Sequence, residues 1–208
     1  MKKRGFLLLI ILIFGTSFSF SQATQNPAFI EVCESLASHK ITKGSFNQTK
    51  VIKRISREIK SSGFFLVSAD DGILWKTKKP FISTTAIGKN GIVQTGKNGK
   101  KSLISSNGNA TFEQVSSLMT SLFNGDAESL DKNFDIEFIG SKDSWNINLI
   151  PKDSSVALFI EAIEMSGKNA IDIMILNEPT GDFTKYEFSE HTFPNSLTKD
   201  EKDAFSEK

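Results

Sequence analysis

Between Gly44 and Ser105 the chain is cut into short extended pieces by residues that reverse a backbone. Ser45 to Lys53, Gly63 to Ser68, Ile73 to Thr77, Phe81 to Ile87, Ile92 to Thr95 and Lys100 to Ser105 read as strands. Their separators are Ser61-Ser62-Gly63, Asp70-Asp71-Gly72, Lys79-Pro80, Gly88-Lys89-Asn90-Gly91 and Gly96-Lys97-Asn98-Gly99. Gly and Asn at such positions supply the left-handed backbone that tight hairpins need. A parallel sheet requires crossovers of a dozen residues or more, and these connections are too short. The segment is therefore an antiparallel meander. Five further strands follow, at Phe134 to Ile139, Trp145 to Ile150, Phe159 to Met165, Ile171 to Asn177 and Phe183 to Phe188. Trp145, Ile147 and Leu149 alternate with Asn146 and Asn148, which gives that strand one apolar and one wet face.

Two helices accompany the strands. Asn26 caps the first, Pro27 fits its first position, and Phe29, Val32, Cys33 and Leu36 recur at helical spacing. In the second, Thr111 and Gln114 form a capping box, and Val115, Leu118, Met119 and Leu122 make one apolar stripe before Asn124-Gly125 stops it. A short helical turn is expected at Ala127 to Leu130. The class is mainly β with helices (α+β), with about eleven strands. Residues 197–208 read as a charged, flexible tail.

The N-terminus is a different kind of segment. Lys2, Lys3 and Arg4 precede an apolar run from Phe6 to Phe14, and Ser19-Phe20-Ser21 places small residues where a signal peptidase reads. Residues 1–21 are thus expected to be a cleaved export signal, too short to span a bilayer comfortably. No Cys follows the run for lipid attachment. Its removal leaves 22 basic against 24 acidic residues. That near-balance speaks against a dedicated nucleic-acid binder.

Catalytic chemistry is hard to find. No G-x-S-x-G, H-E-x-x-H or C-x-x-C occurs, and one Cys with two His leaves no ligand set for a metal or a cofactor. Gly91 to Lys97 spells the start of a phosphate loop, but Asn98 stands where Ser or Thr would bind magnesium, and strands flank it. It reads as hairpin turns. Asp70-Asp71 before a Gly is turn chemistry, and His39 at the end of the first helix suits an imidazolium facing the helix dipole. No plausible Ser nucleophile lies near either His in sequence, which disfavours a hydrolase. The reading is not an enzyme. The aromatic inventory is lopsided, with 18 Phe against two Trp and one Tyr, so much apolar surface without a polar handle must be placed.

The order Gly44-Ser45-Phe46-Asn47-Gln48-Thr49-Lys50, Ser61-Ser62-Gly63-Phe64-Phe65, Gly72-Ile73-Leu74-Trp75 and Lys79-Pro80-Phe81 resembles the periplasmic outer-membrane lipoprotein carriers, the LolA-like family. The resemblance continues through Trp145 to Lys152 and through Phe183 to Phe188 with Thr192-Phe193-Pro194-Asn195, covering about residues 26 to 196. It implies a single lipid-binding domain over residues 22–196, built as an unclosed antiparallel β-barrel with a helical lid over a hydrophobic cavity. It also implies a monomeric periplasmic carrier that takes acyl chains of lipoproteins from an inner-membrane ABC-type release complex to an outer-membrane acceptor. Related modules bind another lipid or glycolipid, or serve as regulatory protein-binding domains. Exposed acyl chains cost about 0.8 kcal/mol per CH₂ in water, so a carrier needs many weak, non-directional contacts.

On that reading Phe46, Phe65, Val67, Ile73 and Trp75 line the cavity from the sheet, and Val115, Leu118, Met119 and Leu122 close it from the lid. Typical members carry a basic residue directly before a Pro that latches the lid. Spacing from Gly63 to Trp75 puts that position at Ala69, where the basic group is missing.

Overall fold

A computed structural model describes residues 26–88, 91–105 and 118–206. The expected signal segment, Thr111, Gln114 and Val115 lie outside them. Eleven strands form one antiparallel sheet: β1 (Ile41–Ile52), β2 (Arg57–Ser68), β3 (Gly72–Lys79), β4 (Ser83–Gly88), β5 (Gly91–Thr95), β6 (Lys101–Ser105), β7 (Phe134–Ser141), β8 (Ser144–Pro151), β9 (Ala162–Gly167), β10 (Ile171–Asn177) and β11 (Phe183–Thr192). Their spatial order is β6-β5-β4-β3-β2-β1-β11-β10-β9-β8-β7. The two meanders are joined where β1 pairs with β11, Phe46 opposite Phe188, and β6 and β7 are left as open edges. The fold is the unclosed β-barrel expected.

The helices are α1 (Pro27–Ala37), α2 (residues 118–124), α3 (Ala127–Asn133), α4 (Ser154–Ala157) and α5 (Lys199–Ala204). α1 begins as anticipated, with Asn26 Oδ1 accepting from the Ala28 amide, and Phe29, Val32, Cys33 and Leu36 are its buried face. Gly125, with φ of +60°, ends α2 where a Cβ would stand 2.3 Å from the Cys33 carbonyl oxygen, so only Gly lets α1 and α2 come this close.

Several local expectations are corrected. Ser61-Ser62-Gly63 is not a turn; it lies inside β2. The reversal is made at Lys53–Ile55, with Ser56 left-handed at φ 49°. Gly63 is there for proximity, since a Cβ would sit 2.0 Å from the Lys76 carbonyl oxygen at a register shift between β2 and β3. Asp153 caps α4, which occupies the approach to β9, so that strand starts at Ala162 instead of Phe159. The short turn at Ala127 extends to a seven-residue helix capped by Asp126.

The charged C-terminus is also ordered. Thr198 and Glu201 form a reciprocal capping box, Leu197 is buried, and Glu201 pairs with Lys43 at 2.7 Å. This end therefore docks, because it carries Leu197, Ala204 and Phe205 onto an apolar surface. That surface is the convex face of β1 to β5, where Ile41, Leu66, Leu74, Ala86 and Val93 form a second, smaller core. The main core lies on the concave face, between the sheet and α1 to α4.

Candidate functional site

Alternation along three neighbouring strands builds the site. Phe46 on β1, Phe65 and Val67 on β2, and Ile73 and Trp75 on β3 all point to the concave face. Phe46, Phe65, Val67 and Ile73 are no more than 3% exposed, and Trp75 is half-buried against them. From above, Leu118 and Leu122 of α2 are buried in the same cluster, with Met119 packed at its margin. Eight of the nine expected lining residues thus meet in one apolar cluster, and the ninth, Val115, lies outside the described residues.

Residues the sequence reading passed over complete it. Phe123 of α2 and Tyr186 and Phe188 of β11 join the aromatic group. The Trp75 ring stands edge-on to Phe46 at 4.9 Å, stacks on Tyr186 at 5.5 Å and lies 6.0 Å from Phe188. Phe188 reaches Phe65 at 4.8 Å and Phe123 at 5.7 Å, which ties the cover to the floor. The signal was available in β11, where Thr184, Tyr186 and Phe188 share one parity. Offset and edge-on aromatic pairs of this sort contribute about 0.5–1.5 kcal/mol each beyond their buried area.

The electrostatics are those of a dry interior. Burial raises the Tyr186 hydroxyl pKa above its ordinary value. Burial also pushes the Cys33 thiol up to about 12, with Asp126 and Glu34 adding to the effect, so it is an inert small hydrophobe. His39 does not behave as an imidazolium: burial holds its pKa below the ordinary value, and its ring stacks on Phe193 at 3.7 Å. His191 lies beside Phe65, with Nε2 3.1 Å from the Ile171 carbonyl oxygen. Trp145, almost fully buried, donates its indole N–H to the Lys168 carbonyl at 2.7 Å. Among the described residues no group of three or more His, Cys, Asp or Glu is placed to hold a metal.

The latch position needs correcting. Ala69 is exposed in the turn between β2 and β3, with its amide bonded to the Lys40 carbonyl, so it is not a cavity-facing strand position. The chain's sole basic residue directly before a proline is Lys79, at the end of β3.

With the geometry in hand, the class is that of an open antiparallel half-barrel whose concave face is apolar and roofed by helices. Residues 37–203 match the sequence profile of the family described as outer membrane lipoprotein carrier protein LolA, and the chain belongs to that family. It is accordingly a lipid- or lipoprotein-binding carrier module. No curated protein matches it. Solved structures resemble it distantly. The LolA superfamily protein NE2245 of Nitrosomonas europaea is 9% identical with a TM-score of 0.45, covering 82% of this chain and 97% of that one. Lipoprotein LppX of Mycobacterium tuberculosis is 9% identical with a TM-score of 0.46, covering 83% and 100%. The MucA/MucB complex of Pseudomonas aeruginosa gives 9%, 0.48, 87% and 60%.

Proposed function

We propose that this protein is a periplasmic carrier that binds the acyl chains of lipoproteins between the concave sheet and its helical cover. It shuttles them from an inner-membrane ABC-type release complex to an outer-membrane acceptor, as an exported monomer without a cofactor. Among the described residues no helix is long and apolar enough to cross a membrane. The observation that supports this most, beside family membership, is the chemistry of the concave face. Phe46, Phe65, Val67, Ile73, Leu118 and Leu122 offer contact without hydrogen-bonding demands, as a carrier that must also release its cargo requires.

The described part of α2 lies directly on the sheet, with Leu122 fully buried. On this reading acyl chains replace the α2 stripe when cargo loads. Mass spectrometry of protein purified from its own periplasm tests the proposal. Co-purifying lipoprotein is the expected result, and Leu118→Asp should lose that cargo while retaining the fold. Free glycolipid or phospholipid in its place would keep the carrier and change the cargo. A tight protein partner with no lipid would overturn the reading.

A further inference from the structure

The large apolar side chains left in water are unevenly distributed. Because β2 and β4 begin where β1, β3 and β5 end, the turns β1–β2, β3–β4 and β5–β6 all lie at one end of the sheet. At the tip of the second, Phe81 is 80% and Ile82 60% exposed; on the first, Ile55 is 56% and Ile59 45%. Leu158 and Phe159, on the approach to β9, are 73% and 65% exposed at the same end. These residues stand on separate protrusions. From the Ser62–Lys79 pairing outward, the β1–β2 hairpin overhangs the β3–β4 turn by five residues, about 16 Å at 3.3 Å per residue. Protruding tips of this kind do not enclose a small molecule.

The charge on the three turns has one sign. Residues 53–57, 78–82 and 96–100 contain Lys53, Arg54, Arg57, Lys78, Lys79, Lys97 and Lys100 and no acidic residue. Of the carboxylates nearby, Glu178 pairs with Lys50 at 2.6 Å, Glu58 pairs with Lys60 at 3.2 Å and Asp182 accepts from the Lys53 amide at 2.9 Å, while Glu161 is exposed beyond Phe159. Lys78 lies over the Phe64 ring at 4.0 Å. Exposed Phe and Ile tips set among cations that form no ion pair with the described residues match the headgroup region of an anionic bilayer in both polarity and sign.

We propose that this end of the sheet is a docking surface for an anionic membrane, with Phe81 and Ile82 entering the headgroup layer and the turn lysines and arginines meeting lipid phosphates. The surface acts independently of the concave face, so it goes beyond the carrier reading and does not depend on it. The test is co-sedimentation of the mature protein with phosphatidylglycerol vesicles and with phosphatidylcholine vesicles, at low and at high salt. The protein should pellet with the anionic vesicles alone and come off as salt screens the charges. Phe81→Ser with Ile82→Ser should weaken binding about tenfold, given the apolar area these two side chains would lose. Lys78→Gln with Lys79→Gln should weaken it and flatten the salt dependence. Because these four side chains are exposed, the variants should keep the parent's denaturation midpoint. Ile139→Ser, at the opposite end and 74% exposed, should bind like the parent. Equal binding to both vesicle types, or an Ile139→Ser effect as large as that of the turn variant, overturns the proposal. So does protein that stays in the supernatant, even with extracted lipid bound, an outcome that would leave the carrier reading standing.

Discussion

The convex face of this sheet has two halves that face solvent in opposite ways. Over β1 to β5 it is apolar and covered: Ile41, Leu66, Leu74, Ala86 and Val93 are sealed by Leu197, Ala204 and Phe205. Over β7 to β10 it is polar and bare. Asn148 donates to Glu137 at 3.0 Å, Asn177 donates to Glu164 at 2.7 Å, and Ile139 and Ile150 stand exposed between them. One sheet therefore contains a two-sided part and a one-sided part, and the difference is written in the strands. Phe64-Phe65-Leu66-Val67 is continuously apolar because both faces of β2 need cover, although Phe64 itself stays partly exposed. Trp145 to Ile150 alternates because only the concave side is covered. The concave face carries cargo in our reading, and the second core on the other side holds the floor of that site rigid.

The comparison breaks most sharply if the cover is removed. Deleting residues 197–208 exposes Leu66, Leu74 and Val93 and loses Leu197 and Phe205. The expected cost is about 3–5 kcal/mol, from burying one Leu and one Phe and the area they shield. Urea denaturation measures it, and dye binding to the uncovered face should rise. A truncated chain as stable as the parent would mean that α5 merely rests on the sheet. Within the same half, Leu74→Ala should cost about 2–5 kcal/mol, whereas Ile150→Ala on the bare half should stay within about 0.5 kcal/mol. Similar losses at the two positions would erase the distinction.

How much of this was legible follows the same line. The strand count, the antiparallel pairing and the face of α1 were readable because period-2 alternation, short turns and helical spacing report burial directly, whereas the open edges were implied only by the family resemblance. The β1–β2 turn was not readable, because Lys53-Arg54-Ile55-Ser56 contains no Gly, Pro, Asn or Asp, while Ser61-Ser62-Gly63 imitates a turn inside a strand. Eight of the nine expected site residues do share a cluster, since parity carries Phe65 to Val67 and Ile73 to Trp75. Tyr186 and Phe188 share a parity in β11 but were missed because that strand pairs with β1 from the far end of the chain, and Phe123 was missed because it stands next to Leu122, outside the stripe read on α2. The C-terminal helix was dismissed on its charge. Thr198-Lys199-Asp200-Glu201 was in fact a capping box in plain view, preceded by one apolar residue and followed by two.

The ion pair that pins α5 gives a pH-dependent test. Burial alone would raise the Glu201 pKa, but the bonds to Lys43 and Thr198 and the Lys43 charge outweigh it, and the net shift is downward. A carboxylate with a depressed pKa in the folded state contributes stability above its unfolded pKa. That contribution is lost as pH falls through the folded value. Glu201→Gln keeps a side-chain acceptor for the cap and removes the charge, so it should cost about 1 kcal/mol at neutral pH. The difference from the parent should close in acid. A gap that persists undiminished below the carboxylate range would assign the effect to the cap instead of to Lys43.

The smallest effect probes the bare half for the opposite sign. Asn148 sits at the centre of β8 with its amide group donating to Glu137, but its Oδ1 is buried without a hydrogen-bond partner. A buried acceptor left unmade costs about 1–3 kcal/mol, whereas the exposed bond to Glu137 returns little in water. Asn is also among the weaker strand formers, and Val among the best. Asn148→Val removes the orphan oxygen, fits the pleat between Glu137 on β7 and Glu164 on β9, and frees the Glu137 carboxylate to solvent. The variant should be as stable as the parent or more so, by up to about 1 kcal/mol, in urea denaturation. A loss of that size would mean that the Asn148–Glu137 bond holds the polar half together by more than the orphan oxygen costs, and the bare half would then be organised by its polar pairs.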